Sequence, residues 1–172
     1  AAALAAGVAG LVQSQALASG LAPALSAGEL MQLLSGEADA TGGWSPSLGF
    51  GRLDARRAVD AVAEGRVPAS VDIEAPRWFV TLPAFEPFTV SAAISSRAPF
   101  SVTLEAAGGL APAEAAFVTF AQTDGAASFR GTLGSIDPAR LTLPAPQPEE
   151  DPHSFAVTVR VRARGGDGVV TA

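Results

Sequence analysis

Cysteine, lysine, asparagine and tyrosine are all missing from this chain of 172 residues, and histidine and methionine occur once each. Without cysteine there can be no disulfide, no thiolate zinc site and no cysteine nucleophile. All eleven basic residues are arginine, and the net charge is -6. That balance disfavours a nucleic-acid partner, because neutralising phosphates needs clustered positive charge. A membrane-spanning helix needs about 20 consecutive apolar residues. The longest apolar stretch, Ala1 to Val12, is stopped by Gln13, Ser14 and Gln15. Ala16-Leu17-Ala18 has the form of a leader-peptidase site, but no basic region precedes the apolar run, so no targeting segment is read here. A helix apolar on all sides yet too short for a bilayer belongs inside a larger domain.

What is present is enough for a core: 48% of residues are hydrophobic and 16% charged, so the chain is expected to fold. Two compositional regimes meet near Gly65. Before it, helix formers dominate, and helices are predicted over Ala1–Leu17, Ser26–Leu34 and Asp54–Glu64. Ser26 with Glu29 three residues on forms a capping box, and Leu30, Leu33 and Leu34 make the stripe behind it. Gly42-Gly43 and Ser45-Pro46 mark a loop. In the third helix Ala55, Ala58, Val59 and Val62 share a face.

After Gly65 prolines multiply and short β-type runs appear. Strands are predicted over Val71–Glu74, Trp78–Leu82, Phe88–Ile94, Phe100–Ala106, Phe117–Gln122, Ala126–Leu133, Phe155–Arg162 and Val169–Ala172. Alternation is clearest where Val157, Val159 and Val161 interleave with Thr158, Arg160 and Arg162. Asp124-Gly125 and Gly166-Asp167-Gly168 read as hairpin turns. The fold class that follows is α+β: a helical segment over 1–65, then an antiparallel β-sandwich of immunoglobulin or fibronectin-like architecture over 66–172. Pro144, Pro146, Pro148 and Pro152, among Glu149, Glu150 and Asp151, make a loop that cannot pair in a sheet.

The helical half carries two motifs. Ala1-Ala2-Ala3-Leu4-Ala5-Ala6-Gly7-Val8-Ala9-Gly10-Leu11-Val12 resembles the stretch just after the nucleophile in subtilisin-like serine proteases. There a serine within Gly-Thr-Ser-x-Ala-Ala-Pro-His-Val-Ala-Gly opens a long buried helix. Ala1 and Ala2 match the two alanines, and Ala6-Gly7 the later Ala-Gly, while Ala3-Leu4 replace Pro-His. Forty residues on, Gly49-Phe50-Gly51-Arg52-Leu53-Asp54-Ala55-Arg56-Arg57-Ala58-Val59 is similar at every position to the motif that closes that domain. The sandwich half is similar, more loosely, to a module found after some of these catalytic domains. It follows that module's order through Phe100–Leu104, Gly108-Gly109, Gly134-Ser135-Ile136-Asp137 and Phe155–Arg164. Phe155 takes its usual tyrosine position.

The resemblance implies a remnant of an α/β catalytic domain whose parent is a secreted or surface endopeptidase acting on peptide or protein substrates. It puts the nucleophile two residues before Ala1 and the other catalytic residues further upstream, so that no catalytic residue lies in this chain. The upstream part of the same protease is then the expected partner. The physics agrees with the motifs. A helix N-terminus offers its dipole and free N–H groups to developing negative charge. Gly49 and Gly51 allow a tight bend that should seat Phe50 in the core, and Asp54 is placed to cap the last helix. Leu4, Val8, Leu11 and Val12 belong in a domain centre. Each left in water forfeits roughly 1.5–3 kcal/mol.

Other candidates have plainer accounts. His153 lies between Asp151 and Ser154, but triad members must converge through a fold, and sequence neighbours do not reach that geometry. Glu149-Glu150-Asp151 has the chemistry of a calcium loop, against the simpler account of a solvated acidic run; calcium is the single cofactor left open and no other metal is expected. Gly165–Gly168 matches one unit of a calcium-binding repeat but occurs once. Trp78, Phe79, Phe85 and Phe88 offer a glycan or peptide platform, or else core packing. Arg160, Arg162 and Arg164 are expected on a solvent face. A binding or adhesion module, or a purely structural accessory, is the alternative to the peptidase reading.

Overall fold

The structure, a computed structural model, describes residues 2–39, 47–77, 80–83, 85–125, 128–143, 155–165 and 170–171. Three helices come first: α1 (Ala2–Ala18), α2 (Ala27–Gly36) and α3 (Ala55–Ala63). Ser26 and Glu29 form the expected capping box, with Glu29 N–H donating to Ser26 Oγ at 3.2 Å and Ser26 N–H to Glu29 Oε2 at 2.8 Å. Asp54 caps α3 by accepting from Arg57 N–H at 3.0 Å. Val12 and Ala16 of α1, Leu25 and Leu33, and Ala58, Ala61 and Val62 of α3 bury one another in a first core.

Seven strands follow: β1 (Ser70–Ala75), β2 (Phe88–Ser95), β3 (Phe100–Gly108), β4 (Val118–Gly125), β5 (Ser128–Ile136), β6 (Val157–Gly165) and β7 (Val170–Thr171). They make two antiparallel sheets, ordered β1-β2-β5 and β4-β3-β6-β7. Val90, Ala92 and Ile94 of one sheet and Val102, Leu104, Ala106, Val161 and Ala163 of the other share a second core, a sandwich-like arrangement. The chain is thus mixed α+β, with all three helices ahead of the strands. The compositional change at Gly65 coincides with the end of α3. The junction is not a free linker, since Val67, Pro68 and Ala69 are buried, and Val67 belongs to the first core while Ala69 belongs to the second.

Three expectations are corrected. Asp124-Gly125 is not a hairpin turn: β4 and β5 lie in different sheets, so the chain crosses between them there. Gly125 is required by packing, since a Cβ on it would meet the Phe100 ring at 2.9 Å. Of the expected strand Trp78–Leu82, residues 80–82 form none and Trp78 and Phe79 lie outside the described residues. Pro76 and Pro83 flank that stretch and withhold ladder donors at its two ends. Phe50 is not seated in a core; it is 43% exposed, in a turn where Gly49 and Gly51 both take positive φ. On α1, Leu4, Leu11 and Leu17 are 75%, 58% and 62% exposed. The connection 166–169 lies outside the described residues, but β6 and β7 pair antiparallel on either side of it.

Candidate functional site

The two motif segments come together through their helices. α1 lies on α3, with Val12 and Ala16 against Ala58, Ala61 and Val62. Between them runs an open groove of about 520 Å³, with Leu11, Ala18, Ala55 and Val59 as its apolar floor and Ser14, Gln15, Arg56 and Asp60 as its rim. Ala2, Ala6 and Gly7 sit on the uncovered side of α1, and a Cβ added at Gly7 or Gly10 would meet nothing within 4 Å. Ala1 lies outside the described residues. Gly49, Phe50 and Gly51 stand apart on the surface, tied back where Asp39 and Arg52 exchange backbone hydrogen bonds and an ion pair at 3.0 Å. The exposed face of α1 is therefore charge-free and made largely of small residues and leucine.

The single histidine, His153, lies outside the described residues with Asp151 and Ser154. The acidic run Glu149-Glu150-Asp151 and most of Gly165–Gly168 also fall outside, and with them the calcium question. Among the described residues no group of three acidic or histidine side chains is placed to hold a metal. No helix among the described residues is long and apolar enough to cross a membrane.

Of the charged clusters among the described residues, two tie the sandwich together or to the helices, and neither was legible in the sequence. On the outer face of β6, Arg160 pairs with Glu105 at 2.8 Å and with Glu114 at 2.7 Å, and its guanidinium lies 3.6 Å from the Phe117 ring centroid. Arg162 joins the same two carboxylates. The arginine face expected to be open to solvent is therefore roofed at Arg160, whose side chain is only 14% exposed, while Arg164 is exposed. The hydrogen bond from Arg160 holds the Glu114 carboxyl below its usual range, against a smaller opposing effect of burial. For Arg160, burial works against the charge, but its bonds to Glu114 and Glu105 prevail and raise its pKa further.

The second cluster lies where helices meet sheets. Arg97, in the β2–β3 connection, donates to Glu29 Oε1 at 2.7 Å and Oε2 at 3.1 Å and to the Ala24 carbonyl at 3.3 Å. Glu29 is the one buried charged residue among those described. Burial alone would raise its carboxyl; the bonds from Arg97 and Ser26, with the Arg97 charge, outweigh that and hold it below 4.5.

The aromatic candidates divide. Phe88 packs against the sandwich core, whereas Phe85 is 55% exposed and leans on Phe155 with ring centroids 5.4 Å apart. Val80, Leu82 and Leu110 are exposed as well. All belong to connections at the end of the sandwich away from the helices, as the pairing of β1, β2, β3 and β6 requires.

No protein-family model, no curated protein and no solved structure matches this chain.

Proposed function

We propose that the chain is the C-terminal part of a secreted subtilisin-like serine endopeptidase: the helix behind the nucleophile, the closing helices of the catalytic domain and a following fibronectin-like sandwich. The observation that carries this reading is the uncovered face of α1. A helix of seventeen residues with no charge leaves Leu4, Leu11 and Leu17 in water, each forfeiting roughly 1.5–3 kcal/mol. A face of that kind fits a helix lodged against the sheet of a larger α/β domain. The pairing of its motif with Gly49–Val59 supplies the kind of domain. The strand order β1-β2-β5 and β4-β3-β6-β7 supports the immunoglobulin or fibronectin type of sandwich.

In this reading the parent hydrolyses peptide bonds through an acyl-enzyme formed on a serine two residues before Ala1. The chain by itself performs no hydrolysis; its part is to bring the α1 helix, whose N-terminus faces the nucleophile, and the elements that hold that helix. The test is the natural coding sequence immediately before Ala1. Codons for Gly-Thr-Ser-x there, with aspartate and histidine motifs further upstream, would support the assignment. An initiation codon or an unrelated sequence in their place would overturn it.

A second reading, a binding module, draws on Val80, Leu82, Phe85 and Leu110, each exposed in a connection at the far end of the sandwich. Quenching of tryptophan fluorescence on adding glycans or peptides would favour it, and an unchanged spectrum would count against it.

A further inference from the structure

The contact between α2 and the sandwich is closer and more specific than the joining of two independently folded pieces requires. Gly28 stands directly over β1, where a Cβ would lie 1.9 Å from Ser70 Oγ and 2.8 Å from Ser70 Cβ. Gln32 Nε2 reaches the Val71 carbonyl at 3.5 Å. Above these, Arg97 grips both oxygens of Glu29, the same carboxylate that closes the α2 capping box, and also the Ala24 carbonyl just ahead of the helix. The Arg97 and Glu29 side chains are 22% and 10% exposed, so water screens the pair only in part. A lone cation beside a helix N-terminus is repelled by the helix dipole, and only a carboxylate between the two makes the approach favourable.

We propose that Arg97 is a latch through which the β-sandwich holds α2, and with it the helical layer, in its folded position. The helix start and the β2–β3 connection share one carboxylate, so neither can be withdrawn without unmaking the other's bonds. Leu33 carries the effect onward, because it is buried with Val12 and Val62 in the first core. The sandwich has no matching dependence: its core of Ile94, Leu104, Ile136 and Val161 closes without a helical residue. Opening the latch should therefore loosen the helices and spare the strands.

Native-state hydrogen exchange on the full 172-residue chain, read by mass spectrometry, tests this. In Arg97→Met, amides of α2 from Leu30 to Ser35 should exchange about 10- to 100-fold faster, while those of β3 and β6 stay within about twofold of the unsubstituted chain. Arg97→Lys, which keeps the charge but not the fork, should fall between. Glu29→Gln combined with Arg97→Met should open α2 by less than the two separate effects added together, since both remove the same ion pair. Unchanged α2 exchange in Arg97→Met would overturn the latch. So would β3 and β6 accelerating in step with α2, which would make Arg97 a support of the whole chain. The readout is exchange rather than turnover, so it succeeds or fails independently of the peptidase assignment.

Discussion

The helical layer and the sandwich are each built from sequence that is roughly half apolar, yet the sandwich closes its core and the helical layer does not. In the sandwich, alternation sends Val102, Leu104 and Ala106 inward from β3 and Val161 and Ala163 inward from β6, and the opposite sheet covers them. In the helical layer, α1 is apolar around its whole circumference but meets neighbours on one side only, so Val12 is buried while Leu11 beside it is 58% exposed. Apolar composition measures how much surface a segment needs to hide. Whether it is hidden depends on there being a second layer, and the helices have one on one side only.

The largest effect that sharpens this contrast is in the cores. Leu104→Ala should destabilise the chain by about 2–5 kcal/mol in urea unfolding, because the site is sealed by both sheets. Leu4→Ala should change stability by no more than about 0.5 kcal/mol, since its side chain already lies in water. Equal losses at the two positions would break the comparison. Next comes Gly134→Ala, whose Cβ would press on the Ala121 Cβ at 2.9 Å and on Leu104 at 3.2 Å. Overpacking there should cost about 1–3 kcal/mol by the same measurement. Ser26→Ala removes the α2 cap and should cost about 1 kcal/mol, confined to helical probes such as far-UV circular dichroism.

The smallest effect is in pH. The Glu29 carboxyl is held below 4.5 when folded, so its contribution is complete above 4.5 and is lost as pH falls through the folded value. Glu114 acts in the same direction, weakly, because its side chain is 67% exposed. Stability should therefore decline in acid, and Glu29→Gln should flatten part of that decline in thermal melts taken down a pH series. A decline of the same steepness in Glu29→Gln would remove Glu29 as its source.

Much of this architecture was legible because it rests on local signals. The capping box needs only residues three apart, the Asp54 cap only its own turn, and the β6 alternation only neighbours at spacing two. The boundary at Gly65 shows as a change from helix formers to prolines. What escaped the sequence depends on distant partners. Arg97 and Glu29 are sixty-eight residues apart, and nothing local marks either as half of a pair. Asp124-Gly125 has hairpin chemistry, but the glycine answers to the Phe100 ring and the chain changes sheets there. Phe50 sits between two glycines as in a buried bend, yet the described residues around it supply no core to receive it. The outer face of β6 alternated as expected, and only the structure brought Glu114 and Phe117 over Arg160.

The measurement that bears most directly on the uncovered helical face is amide exchange along α1 in a chain confirmed as monomeric by light scattering. If that face is a seam for a larger domain, the amides from Leu4 to Val12 should be the least protected of the helical ones, far below those of β3 and β6. Protection of Leu4–Val12 equal to that of β3 in the monomer would mean that the layer is complete without a partner, and would contradict the account.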